Sequence, residues 1–171
     1  MTLMTLTAAW NRLRAVRALQ FSAKSSSQTS GWNATGNGKV IVGMVDNSTI
    51  TFTESGKWRS DSGKELEFNN VYRWTLAEDA GIIRLEHLRF GRNQPVYLFD
   101  LAPTDNTTFQ SVSPHCCGAD LYTAIMEFKD EAIYLRWNVK GPKKDEQICC
   151  IYAHSESMNL TCSQLPLFPN S

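Results

Sequence analysis

Gly38-Lys39-Val40-Ile41-Val42-Gly43-Met44-Val45-Asp46-Asn47-Ser48-Thr49-Ile50-Thr51-Phe52 is the stretch on which the fold turns. Val40, Val42 and Met44 alternate with Ile41, Gly43 and Val45, the period of two expected of an extended strand. Asp46-Asn47 is turn chemistry, and Ile50 and Phe52 resume the alternation on its far side. The segment reads as an antiparallel hairpin, with its second strand running on to Trp58.

The same rhythm continues toward the C-terminus. Asp61-Ser62-Gly63 supplies the next turn, and Leu66, Phe68, Tyr72, Trp74 and Leu76 form a strand bent at Asn69-Asn70. Glu78-Asp79-Ala80-Gly81 turns the chain into Ile83, Leu85, His87 and Arg89. Val96 to Leu101, Thr107 to Val112, Leu121 to Phe128, Ala132 to Val139 and Glu146 to Ala153 follow. Strands at intervals of about ten residues, with no helical crossover between them, are the pattern of an antiparallel sandwich or closed barrel. A closed ring of about eight to ten strands removes the exposed edges and leaves an interior wide enough for one small ligand. The expected fold is mainly β: an antiparallel up-and-down β-barrel, lipocalin- or calycin-like.

Toward the N-terminus the period changes. Leu3, Leu6, Trp10 and Leu13 recur at steps of three and four, an apolar helical stripe, while Arg12, Arg14 and Arg17 lie mostly off it. The pattern predicts a helix over about residues 3–20 that lays its stripe on one mouth of the barrel, because an amphipathic helix needs an apolar surface to bury against. Ser22 to Asn37, rich in Ser, Gly and Asn, reads as a loop. Residues 1–154 are expected to form a single barrel domain, and residues 155–171, with Pro166 and Pro169, an irregular tail.

Composition narrows the function. Seventeen basic and seventeen acidic residues give a formal net charge of zero, without the long-range field that nucleic-acid binding uses. No apolar run is long enough to span a bilayer as a helix. The five cysteines, Cys116, Cys117, Cys149, Cys150 and Cys162, form two doublets and a singleton. An odd count and this spacing fit neither a complete disulfide framework nor a zinc knuckle, so a reducing, cytoplasmic setting is expected, and no metal. Sequons at Asn33, Asn47, Asn106 and Asn159 stand without a secretory signal pattern. No acidic residue precedes Asp46, whereas Arg12, Arg14, Arg17, Lys24 and Lys39 do. The alternative localisation is therefore an organelle, reached through a basic N-terminal segment.

The densest group of reactive side chains is Ser113-Pro114-His115-Cys116-Cys117-Gly118-Ala119-Asp120-Leu121-Tyr122. Two residues apart on a strand means one face, so His115 pairs with Cys117, and Asp120 with Tyr122. Imidazole, thiol, carboxylate and phenol in one segment can serve as ligand contacts or as a nucleophile with its base. They can equally be a hydrogen-bonded brace at the start of a strand. Trp137-Asn138-Val139-Lys140-Gly141-Pro142-Lys143-Lys144-Asp145 places a Gly-Pro turn between strands, with cations just beyond. The strands also carry Trp58, Tyr72, Trp74, Tyr97, Phe99, Tyr122, Phe128, Tyr134, Trp137 and Tyr152, which would either line a pocket or fill a solid core. The candidate ligand-binding residues are His115, Cys117, Asp120, Tyr122, Trp74, Trp137 and Lys144.

The run His115-x-Cys117-x-x-Asp120-x-Tyr122, followed by Trp137-x-Val139-x-Gly141-Pro142-x-Lys144-Asp145 and Tyr152, resembles an uncharacterised family of short proteins of unknown function. Glu54-Ser55-Gly56-Lys57-Trp58 and Tyr72-Arg73-Trp74 are similar to that family's first half, and the resemblance extends over about residues 5–153. It implies a lipocalin-like barrel and no established activity. More loosely, the helix-plus-barrel plan is similar to lipocalins, fatty-acid-binding proteins, nitrobindins and phycobiliprotein lyases. Gly31 and Trp32 stand adjacent, without the spacer of the lipocalin Gly-x-Trp signature.

Three function classes follow. The leading one is a binding protein for a small apolar or amphipathic molecule of the lipid, pigment or tetrapyrrole class, its cofactor unknown. The second is an enzyme using His115, Cys117, Asp120 and Tyr122 around the cavity. The third is an interaction module with a filled interior. A hollow barrel separates the first two from the third.

Overall fold

The computed structural model describes residues 4–25 and 33–155. Helix α1 spans Leu6–Arg14. Thr5 caps it, its hydroxyl accepting from the Ala8 N–H at 3.1 Å. Eleven strands follow: β1 Ala18–Ser25, β2 Ala34–Asp46, β3 Thr49–Ser60, β4 Glu65–Ala77, β5 Ile82–His87, β6 Val96–Pro103, β7 Thr108–Ser111, β8 His115–Cys117, β9 Asp120–Phe128, β10 Ala132–Lys140 and β11 Asp145–Ala153. They form one antiparallel sheet whose ring is complete, with β9 paired to β10 and the last strand, β11, paired back to β1. β8 pairs with β9 alone, so ten of the eleven strands make the ring. β7 and β8 are two pieces of one interrupted strand, both laid against β9. The expected antiparallel barrel is therefore the fold.

The N-terminal segment differs from the expectation of a helix over about residues 3–20. The helix ends at Arg14, where the Ala15 and Val16 N–H groups donate back to Arg12 and Leu13. From there the Arg17 N–H donates to Ala153 O at 2.8 Å, while Arg17 O accepts from Val40 N at 2.9 Å. β1 then pairs along its length with β11, and from Ala18 to Ala23 with β2. Without β1 the ring would stand open between β11 and β2, and two edges of backbone donors would go unpaired. Ala-Val-Arg-Ala-Leu-Gln has good helix propensity, but ladders on both sides outweigh it. The loop expected over Ser22 to Asn37 is likewise shortened, since β1 runs to Ser25 and β2 begins at Ala34. Leu3 and the tail from Glu156 onward lie outside the described residues.

Hairpin connections alternate between the two ends of such a ring. α1 covers one of them, with the Arg12 guanidinium donating to Lys129 O in the β9–β10 turn. Met4 N reaches Asp105 O in the β6–β7 turn at 3.5 Å. Beneath the helix, Trp10 and Leu13 belong to the same buried cluster as Ile50, Phe52, Trp74, Leu85, Phe109 and Met126. Among the described residues the side chains of this half are packed into one solid cluster, and the helix is its plug.

A second, smaller cluster, Ala132, Tyr134, Cys149, Ile151 and Ala153, is buried on the outer face of β10 and β11. Cys149 is disulfide-bonded, which departs from the expectation of reduced thiols throughout. Cys116, Cys117 and Cys150 are free. No helix among the described residues is long and apolar enough to cross a membrane.

Candidate functional site

The half of the barrel away from α1 is hollow. A cavity of about 250 Å³ lies there, lined by Leu19, Phe21 and Ala23 of β1, Glu54 and Trp58 of β3, Phe68, Asn70 and Tyr72 of β4, Trp137 of β10, and Ile148 and Cys150 of β11. The period of two delivers these side chains, because residues 19, 21 and 23, or 68, 70 and 72, share the inner face of one strand. Phe21 and Phe68 meet edge to face, with centroids 5.2 Å apart. Tyr72 lies 6.4 Å from Trp137 and stacks at 4.6 Å on His87 behind it. Gly36 lets the Phe21 ring lie against β2, since a Cβ at that position would overlap the ring. An apolar cavity of roughly 150 Å³ suffices to hold benzene, so this space exceeds what a single small ring needs.

Its carboxyl is Glu54, and Asn70 adds an amide to the wall. Continuing inward from Ile50 and Phe52, the Glu54 side chain is only 3% exposed. The Tyr152 hydroxyl donates to Glu54 Oε1 at 2.7 Å. Burial pushes the carboxyl up to about 7, against a smaller lowering by the tyrosine hydrogen bond. The neighbouring acids shift the same way. Burial first, then the Glu54 charge, raises Tyr72, Tyr152 and the Cys150 thiol well above their ordinary values. Cys150 is therefore a thiol and not the thiolate that nucleophilic chemistry requires. Behind Tyr72, burial and then the Arg89 charge lower His87. Among the described residues, no lysine, arginine or histidine lines the cavity. Chemically the arrangement is an apolar, ring-lined space with one carboxyl near neutrality, able to accept a hydrogen bond or face a positive charge.

The residues singled out in the sequence fall in three places. Trp137 lines the cavity. Trp74 lies in the solid half, fully buried against Phe52 at 5.8 Å, its indole N–H without a partner among the described residues. His115, Cys117, Asp120 and Tyr122 come together on the β8–β9 hairpin, where His115 is opposite Tyr122 and Cys117 opposite Asp120. Cross-strand partners share a face, here the one that continues inward along β9 to Ala124 and Met126. The His115 ring lies 4.7 Å from that of Tyr97 and 6.1 Å from that of Tyr122. None of these four is among the cavity-lining residues.

Lys144, from the β10–β11 turn, reaches Asp120 instead, Nζ to Oδ2 at 3.6 Å. The Asp120 carboxylate also occupies the space where a Cβ on Gly141 would stand. The Asp120, Gly141 and Lys144 motif is thus a clasp joining two adjacent hairpins at the rim opposite α1. No group of three or more potential metal ligands occurs among the described residues.

Glu54, Cys150 and Phe21 are not among the candidate ligand-binding residues read from the sequence, where Phe21 falls between the expected helix and the expected loop. The available signal was the alternation Ile50-x-Phe52-x-Glu54 in a strand whose apolar face turns inward. A carboxylate on that face is unusual, because charged groups are seldom buried without partners.

Comparison with known proteins places the chain by family. It belongs to the Family of unknown function (DUF6314), whose model matches residues 6–154. No curated protein matches the chain. Among solved structures it is similar to a redesigned beta barrel, mFAP1, bound to DFHBI, at 7% identity, covering 82% of this chain and 96% of that one with a TM-score of 0.40. EF1p2_mFAP2b bound to DFHBI is similar at 9% identity, covering 84% and 97%, with a TM-score of 0.41. A fluorescence-activating beta barrel designed de novo is similar at 11% identity, covering 83% and 95%, with a TM-score of 0.40.

Proposed function

We propose that the protein binds a small, largely apolar molecule inside the barrel, with one polar group of that molecule directed at Glu54. The observation that carries this reading is the cavity of about 250 Å³, walled by aromatic and aliphatic side chains around a single carboxyl. Ligand sites in general combine an apolar wall with a few placed polar groups. The volume favours a compact ligand of one or two rings over a tetrapyrrole. Trp137 contacts the ligand directly in this reading. His115, Cys117, Asp120, Tyr122 and Lys144 shape the rim on the cavity's side of the barrel.

Titration with toluene and with naphthalene, followed by amide and methyl NMR shifts, tests the proposal. Saturable shifts are expected at Ala23, Ile148 and their neighbours. Ala23→Phe, which fills the space from the β1 side, should abolish them while leaving the rest of the spectrum folded. Shifts that fail to saturate, or that persist unchanged in Ala23→Phe, would show that the cavity is not a binding site.

A further inference from the structure

The cavity places a carboxyl without a counter-charge among ring faces. Among the described residues Glu54 meets Tyr152 and no cation, and the side chains around it, Tyr72, Cys150 and Tyr152, are themselves weak acids that burial first, and then its charge, keep protonated. The segments outside the described residues, 1–3, 26–32 and 156–171, contain no lysine, arginine or histidine, so no side chain of theirs can supply the missing charge. Phe21, Trp58, Phe68, Tyr72 and Trp137 border the same space. Aromatic faces are electron-rich and attract cations, most strongly where water is excluded. A buried carboxylate is costly unless something pairs with it.

From the ring-lined cavity and its unpaired carboxyl we infer that the ligand is a cation, a small amine or quaternary ammonium on an apolar body. This inference rests on the cavity being a binding site. It adds the sign of the ligand's charge and assigns Glu54 as the counter-ion. Shape and charge act together: the rings enclose the apolar body, and the carboxylate sets the orientation. A neutral isostere keeps the enclosure and loses the ion pair. An anion would meet the carboxylate and the negative ring faces at once.

The inference carries a pH dependence with a definite sign. A cation binds the ionised form of Glu54, whose carboxyl burial pushes up to about 7. Tyr72, Tyr152 and Cys150 stay neutral across that range, and His87, behind Tyr72, titrates below its ordinary value. Affinity for a permanently charged ligand should therefore rise about tenfold between about pH 6 and pH 8. Affinity for a neutral ligand should not rise.

Phenyltrimethylammonium and tert-butylbenzene form a matched pair of nearly equal shape, one charged and one neutral. Both are titrated into the full chain and into Glu54→Gln, which keeps an acceptor for Tyr152 and removes the charge, with circular dichroism reporting folding. The cation is expected to bind the unaltered protein at least about tenfold more tightly than the neutral probe near pH 8. The preference should shrink toward unity in Glu54→Gln, together with the pH dependence. Equal or tighter binding of tert-butylbenzene, or a preference that survives Glu54→Gln, overturns the cation assignment and leaves the cavity as a site for neutral molecules. Absence of binding by both probes overturns the site itself. Should Glu54→Gln fail to fold, the pH series on the unaltered protein decides the question, and a flat profile for the cation overturns the inference.

Discussion

Tyr152 Oη and Glu54 Oε1 stand 2.7 Å apart across the closure of the barrel, although their residues are 98 positions apart in the chain. The contact ties β11 to β3 over the β1 and β2 strands that lie between them in the ring. It also fixes the one carboxyl that lines the cavity among the described residues. Whatever Glu54 does for a ligand, it does from a position that the last strand of the barrel holds in place.

Glu54 should make stability fall as the pH rises through neutrality. Its folded value of about 7 lies above the ordinary 4.5, so the folded protein holds a proton that the unfolded chain releases. The resulting stabilisation is complete below about pH 4.5 and is lost as pH rises through 7, a change of about 3 kcal/mol. His87, shifted downward, acts in the opposite sense as pH falls below 6.5. The difference between Glu54→Gln and the unaltered protein cancels that contribution. Urea unfolding from about pH 4 to pH 8 should show the variant gaining about 3 kcal/mol relative to the parent. A constant difference would show that the carboxyl titrates normally in the fold.

Tyr152→Phe tests the other half of the pair. The hydrogen bond lowers the Glu54 value against the larger effect of burial, so its loss should move the titration further up. The cost should be about 1–3 kcal/mol above neutrality, where a buried carboxylate loses its donor. It should be smaller near pH 5, where the carboxyl is protonated. Folding stability at the two pH values, together with the carboxyl carbon shift of Glu54 followed by NMR, measures both.

Trp10→Ala tests the plug. Trp10 is 4% exposed and packs with Leu13 into the solid half of the barrel. Removing a buried indole typically costs about 3–5 kcal/mol. Because the hollow half lies at the other end, probe binding should change far less than stability does. A loss below about 1 kcal/mol in denaturant unfolding would mean that the helix is not integral to the core.

The barrel was readable in the sequence because its strands follow one another at short intervals, each with an inward and an outward face. The elements that escaped are those decided by pairing and not by local pattern. Ala18 to Ser25 carries residues acceptable in a helix, and it is a strand because β11 and β2 leave a gap of one strand between them. The site was less readable than the fold. His115, Cys117, Asp120 and Tyr122 do gather on one hairpin face, since a tight turn brings residues so close in sequence into register. Glu54 and Tyr152 meet only when the ring closes, and nothing local in either segment announces the other. Lys144 reads in the sequence as a candidate ligand contact beside a turn. In the folded chain its charge is directed at Asp120.

The rim clasp supplies the last prediction. Gly141 opens the β10–β11 turn, its N–H donating to Lys144 O at 2.8 Å. A Cβ there would overlap the Asp120 carboxylate and come within 3.3 Å of Ala119 O. Gly141→Ala must therefore displace Asp120 and separate it from Lys144. The ion pair itself is partly exposed, its side chains 23% and 48% accessible, and such a pair contributes little, about 0–1 kcal/mol. Most of the cost of Gly141→Ala is thus steric. In an Asp120→Ala background the obstructing carboxylate is gone, and the same glycine substitution should cost markedly less. A double-mutant cycle in denaturant should yield a coupling of about 0.5–3 kcal/mol between the two positions. Lys144→Ala in the same background should add almost nothing. If Gly141→Ala costs as much without Asp120 as with it, the backbone at Ala119 is the obstacle, and the clasp does not govern the rim.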